Sequence, residues 1–205
     1  MKAQISRRKP VQDRAVATVD AILTATSQVL VEEGYMRAST NRIAKRAGVS
    51  VGTLYQYFPN KETLIERLIE RICDEQVEAF ARDIQGLAVD DPGLEVGVRS
   101  LIDGVLAMKR VQPALSRVLI LEAPKDGGRL DIIQRSLRRC RELVRAALRM
   151  KPDEIRADDS DLMTYVIVTS VFAVLEDAVE HRPELLADDA LADELAKLTL
   201  RYLIT

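Results

Sequence analysis

The chain has no tryptophan, one histidine (His181) and two cysteines, and aromatic residues fill only 4% of its 205 positions. A metal centre or a nucleophilic triad needs several His, Cys or acid–base groups within reach of one another, so this inventory argues against an enzyme and implies neither metal nor cofactor. Cys73 and Cys140 have no neighbouring Cys or His, which excludes a zinc knuckle or a C-x-x-C redox pair and leaves reduced thiols as the expectation. So few aromatic rings also make a stacked cage for flat cations hard to assemble. The N-terminal basic residues Lys2, Arg7, Arg8 and Lys9 are not followed by the apolar run of a signal peptide. The most apolar stretch, Leu162 to Leu175, is broken by Thr164, Thr169 and Ser170 and reads as too short to cross a bilayer. The expectation is a cytoplasmic protein with no membrane segment.

What is present is core material and an uneven charge. Hydrophobic residues make up 47% of the chain, enough to bury a core. The formal net charge of −2 conceals an asymmetry: residues 1–60 hold nine basic and four acidic side chains, and residues 61–205 hold 21 and 28. A basic N-terminal module that meets a polyanion, followed by an acidic body that does not, is one reading; chance clustering is the other.

Apolar residues recur at helical spacing almost throughout, and no alternating stretch is bounded by hairpin turns. The fold class is therefore all-α, with helices near 12–33, 40–47, 51–57, 61–84, 93–110, 113–121, 129–150, 159–181 and 187–204. Pro92 and Pro113 suit first turns, where a missing N–H does least harm. The β-branched run Tyr165–Phe172 would also suit a buried strand, but its apolar pattern continues helically through Leu175 and Val179.

The informative segment is Ser39 to Leu64, STNRIAKRAGVSVGTLYQYFPNKETL. Ser39 can cap a short helix with Ile43, Ala44 and Ala47 inside, and Gly48 can end it in a left-handed conformation. Ser50 can then cap a second short helix with Leu54 and Phe58 inside. Two such helices joined by a glycine turn form a helix-turn-helix, which leaves Val51, Gly52, Thr53, Tyr55, Gln56 and Tyr57 on the outer faces. Exposed phenols can donate to phosphate oxygens, Thr53 and Gln56 can reach base edges, and Lys61 adds a phosphate contact. An ordinary αα-corner with half-buried tyrosines fits the same pattern.

This segment resembles the DNA-binding domain of the TetR/AcrR family of transcriptional regulators, in the EEGY that ends the first helix, in IAKRAGVS and in GTLYQYFPNKETL. The resemblance covers about residues 12–65; beyond it, only the helical layout and HRPEL before the final helix are similar. It implies that Thr40, Tyr55, Tyr57 and Lys61 bind phosphates, while Asn41, Val51, Gly52, Thr53 and Gln56 face the groove of a double-stranded DNA operator. Asn41 departs from the longer basic residue that some members carry. The resemblance also implies a DNA-binding domain over 1–60 and an effector-binding and dimerisation domain over 61–205. The homodimer would form through the last two helices, with a small-molecule effector controlling a repressor.

For the body, the segment 159–181 is apolar on more than one side, and 187–204 carries Leu191, Leu195, Leu198 and Tyr202 at four-three-four spacing. Helix 129–150 has an apolar stripe at Leu130, Ile133, Leu137, Cys140, Val144 and Ala147, opposite an arginine face that reads as solvated. The resemblance implies an effector pocket among the fourth to eighth helices, with Phe80, Met108, Leu119, Cys140, Tyr165, Thr169 and Phe172 as candidate lining residues; by itself each reads more readily as plain core. An aliphatic lining would suit an acyl or other lipophilic molecule. Rival readings are a helical small-molecule-binding protein or enzyme that uses its first 60 residues for packing, and a helical adaptor.

Overall fold

A computed structural model of the chain describes residues 8–124, 127–156 and 160–204, with the side chains of 8–12 and 160 left out. Most of the N-terminal basic arm thus lies outside the described residues. The helices are α1 (Arg8–Arg37), α2 (Thr40–Ala47), α3 (Val51–Tyr57), α4 (Lys61–Asp90), α5 (Leu94–Val111), α6 (Pro113–Leu121), α7 (Gly127–Arg149), α8 (Ser160–His181) and α9 (Asp189–Ile204). A 3₁₀ segment, Pro183–Ala187, joins the last two, and no strand occurs among the described residues. The all-α expectation holds, and Tyr165–Phe172 is helical as the continuing apolar pattern requires.

The chain divides into two compact units, one up to Ile69 and one from Glu70 onward. The division falls inside α4, whereas the shift in charge falls at its start.

In the first unit α1 does not run straight to Arg37. Gly34 sits at φ 74°, a left-handed conformation that interrupts the helix and turns Tyr35 inward, where it is buried. Ile22, Val29 and Leu30 of α1 pack in one buried core with Ile43 and Ala44 of α2, Leu54 of α3, and Leu64 and Leu68 of α4. Thr26, fully buried in this core, donates its Oγ1 hydroxyl to the Ile22 carbonyl at 2.7 Å, so no polar group is left unmet at that point.

The second unit closes around Ile102 and Leu106 of α5, Met163 and Leu175 of α8, and Leu195 and Leu203 of α9. The α9 stripe expected to serve a partner subunit is largely spent here: Leu195 is buried, and Leu191 and Tyr202 pack half-buried against the same core. Leu198 alone of the four stays exposed. The reason is that α9 packs along α5 of its own chain, which claims that face. In α7 the expected stripe is shallow: Ile133, Leu137, Cys140, Val144 and Ala147 are half-buried, Leu130 is exposed, and the buried residues are Arg129, Ile132 and Leu148. Arg129 can enter because its guanidinium donates to the Ala123 carbonyl at 3.1 Å.

The segments Asp13–Arg37 and Asp161–His181 are long and apolar enough to cross a membrane by length and composition. The expectation that no stretch reaches this threshold fails for α8 because its scattered threonines and serine barely dilute a helix that runs on to His181. Core helices of ordinary domains pass the same test, and α8 places Met163, Leu175 and Val179 in the core.

Candidate nucleic-acid interface

The two short helices are fixed by local chemistry. Ser39 is extended and its hydroxyl accepts from the Arg42 amide, which starts α2. Gly48, at φ 69°, ends it, and the amides of Gly48 and Val49 close back on the carbonyls of Lys45 and Ala44 at 3.3 and 3.0 Å. Ser50 then starts α3 by accepting from the Thr53 amide at 2.9 Å. Asn60 does the same for α4: its Oδ1 accepts from the Thr63 amide at 2.7 Å. With Ile43, Ala44, Leu54 and Phe58 buried, the orientation of both short helices is locked from beneath.

The outer faces follow. Asn41, Val51, Gly52, Tyr55, Gln56 and Tyr57 are exposed, while Thr40, Thr53 and Lys61 are half-buried. Tyr55, at 47% exposure, is not free: its phenolic oxygen lies 3.0 Å from Thr40 Oγ1, so one hydroxyl donates to the other across the two helices. The Thr53 hydroxyl is 2.8 Å from Ser50 Oγ and is therefore committed to the cap of its own helix. Lys61 reaches back to the end of α1, donating to the Tyr35 carbonyl at 2.5 Å with its ammonium 3.7 Å from the Tyr35 ring centre. Burial pushes the Lys61 ammonium below the ordinary lysine range, an effect that neighbouring Glu62 partly opposes.

The glycine in α3 is informative by what does not surround it. A Cβ at Gly52 would meet only Ser50 Oγ, at 3.7 Å, an ordinary contact. Nothing among the described residues requires glycine there, although the residue weakens a helix relative to alanine.

The charge of this unit is distributed differently from its count. Arg42 is paired with Glu33, and Arg46 forks onto Glu32 with bonds of 2.8 and 2.5 Å. The Arg46 guanidinium beside it holds the Glu32 carboxyl below the usual carboxylate range. Two of the cations counted for the N-terminal module are thus neutralised at the α1–α2 contact. These pairs were invisible in the sequence, because Glu32 and Arg46 are brought together only by the packing of the two helices.

Of the candidate effector-lining residues, Phe80 and Leu119 are buried, and Met108, Cys140, Thr169 and Phe172 are half-buried. Tyr165 stands on the outside at 52% exposure, with the Arg141 guanidinium 5.3 Å from its ring centre. Much of the arginine face of α7 is bridged: Arg135 to Glu70, Arg139 to Asp74 and Arg145 to Asp161, at 3.5, 2.5 and 2.8 Å. His181 lies 3.1 Å from Asp177 one turn back, so the sole histidine has a local partner near the end of α8. No group of three or more His, Cys, Asp or Glu that could hold a metal occurs among the described residues.

A glycine-terminated α2, a serine-capped α3 and a solvent-facing row along α3 define a helix-turn-helix of the DNA-reading kind. Comparison with known proteins narrows the class. Residues 22–68 match the family model for bacterial regulatory proteins of the tetR family, and residues 94–203 match the tetracyclin repressor-like C-terminal domain. The chain belongs to the TetR family of transcriptional regulators. An uncharacterized HTH-type transcriptional regulator of Mycobacterium bovis is 28% identical over 177 residues, which cover 85% of this chain and 89% of that protein. Among solved structures, the fatty acid degradation regulator FadR from Bacillus halodurans aligns with a TM-score of 0.66 at 25% identity, covering 88% of this chain and 97% of the other. A TetR-family regulator from Streptomyces coelicolor aligns with a TM-score of 0.64 at 27% identity, over 90% and 96%. Members of this family bind operator DNA and work as dimers.

Proposed function

We propose that the protein is a cytoplasmic repressor that binds its operator as a homodimer and releases it when a small molecule enters the body of the chain. Residues 1–60 read DNA and residues 61–205 carry the effector site and the dimer contacts. Thr40, Tyr55, Tyr57 and Lys61 meet phosphates, and Asn41, Val51, Gly52, Thr53 and Gln56 line the surface presented to the major groove. The observation that carries this reading is the row on α3: exposed Tyr55, Gln56 and Tyr57 beside a glycine at position 52 that nothing among the described residues demands. A close external surface accounts for both features.

Dimerisation supplies the second reader, about 34 to 36 Å from the first or at a multiple of that spacing. The exposed apolar residues of the last two helices, Leu162, Tyr165, Val174, Leu198 and Ile204, are the material for the contact. The effector acts by shifting the population between dimer geometries that do and do not match successive grooves.

The test is a mobility-shift titration, at several salt concentrations, with the DNA upstream of the protein's own gene. A retarded band that weakens with salt is expected. Gln56→Ala should narrow the gap between operator and random DNA, because on this reading the exposed Gln56 reads a base. Absence of any shift would favour the rival reading, in which the first 60 residues serve only packing.

A further inference from the structure

Three helices of the second unit stop short of full burial around one place. From Val166 to Phe172 on α8, no residue of nearly two turns is buried, though most are apolar. No residue is buried from Ile133 to Ala147 on α7 or from Glu70 to Gln76 on α4 either, where the half-buried apolar positions include Ile133, Leu137, Cys140 and Val144 of α7 and Ile72 and Cys73 of α4. In a close-packed core, apolar positions at helical spacing would be buried once per turn. The α4 and α7 stretches adjoin, since the Cys73 thiol of α4 is hydrogen-bonded to Ser136 of α7 and Asp74 is bridged to Arg139 one turn further along α7, and α7 in turn packs on α8. Their half-burial leaves apolar surface on these helices that this chain does not fully cover.

One ion pair lies at this level. Lys109 Nζ of α5 bonds Glu176 Oε1 of α8 at 2.7 Å, with side-chain exposures of 12% and 26%, and the ammonium stands 5.7 Å from the Phe172 ring centre. Bringing two charges out of water is costly, and an apolar pair of similar size would often be as stable, so the pair is poorly explained as core. Its polarity is also directed. Lys109 is the more buried partner, and of the two charges it acts more strongly on the Cys73 thiol. Glu176, nearer to solvent, is the partner that can leave and be rehydrated.

We infer that the effector is a lipophilic anion: an apolar body lies along the half-buried faces of α4, α7 and α8, and its carboxylate or similar acidic group takes Lys109 from Glu176. A lipophilic cation would have to expel the deeper Lys109 to reach Glu176, which the burial disfavours. Exchange of partners unties α5 from α8, the helix that carries exposed dimer-contact material, and so links occupancy to dimer geometry. The inference rests on the reading of the body as an effector-sensing domain.

The experiment is direct calorimetric binding to the full-length protein without DNA, using dodecanoate, dodecanol and dodecyltrimethylammonium below their critical micelle concentrations. Dodecanoate should bind at least tenfold tighter than either matched probe. Lys109→Met should abolish that preference, Lys109→Arg should keep it, and Glu176→Gln, which removes the competitor, should tighten dodecanoate binding several-fold. Equal binding of the three probes, preference for the cation, or an unchanged dodecanoate preference in Lys109→Met would overturn the inference. If Lys109→Met fails to fold, weaker or unchanged dodecanoate binding in Glu176→Gln does so by itself. A parallel mobility shift separates the two readings: release of DNA by dodecanol and dodecanoate alike leaves effector control standing and removes the anion.

Discussion

The bond between Thr40 and Tyr55 makes a quantitative statement about how the reader holds DNA. Each hydroxyl has one proton, and in the free protein one of the two is spent between them over 3.0 Å, leaving a single proton to point outward. If both residues bind phosphate as one unit, Tyr55→Phe removes the outward donor or its orientation, at about 1 kcal/mol per half-site. A dimer doubles this to about 2 kcal/mol, or roughly a 30-fold loss of affinity. Thr40→Val, which keeps the shape, should cost a similar amount. The double variant should cost little more than either single, with a coupling of about 1 kcal/mol per half-site. The assay is a fluorescence-anisotropy titration of all four proteins on specific and random duplexes at one salt concentration. Because phosphates carry no sequence information, the loss should be alike on both duplexes. Additive costs would refute the shared contact, and affinities like wild type in both single variants would remove the two residues from the interface.

Two further predictions concern stability and thiol chemistry. Gly48→Ala adds a Cβ that meets nothing within 4 Å but forces a left-handed φ of 69° on an L side chain, so it should cost about 1 kcal/mol, read as a lower urea midpoint; an unchanged midpoint would contradict the turn geometry. Burial pushes the Cys140 thiol up to about 11, so it should react slowly with a disulfide reagent at pH 8 and accelerate in urea. The sign for folding follows: the native state keeps its proton where the unfolded state has lost it, so this contribution is present below the unfolded pKa of about 8.5 and fades as pH rises through about 11. Cys140→Ala should flatten that decline; an equal decline would assign it to other groups.

The segment from Ser39 to Leu64 could be read from sequence because its structure is made by neighbours. Caps, glycine turns and amphipathic spacing act over three or four residues, and Ser39, Gly48 and Ser50 each do in the fold what their chemistry requires locally. The body was less legible. The four-three-four stripe of α9 was real, but periodicity reports that a face is apolar, not which surface covers it, and α5 of the same chain covers most of this one. On α7 the expected stripe is half-buried apart from exposed Leu130, while Arg129 is buried because the Ala123 carbonyl is in reach. Tyr165, expected among the effector-lining residues, faces outward beneath Arg141.

By itself, the sequence determined an all-helical chain and a helix-turn-helix at its N-terminal end, because these depend on spacing and nearest-neighbour capping. Tertiary structure alone decided how charge is used. Pairing of Arg42 and Arg46 with glutamates of α1, the tether from Lys61 to Tyr35, and the Lys109–Glu176 bond depend on side chains between nine and 67 positions apart. Such partners meet only once helices have packed, and a charge count cannot tell a cation facing DNA from one already neutralised by its own chain.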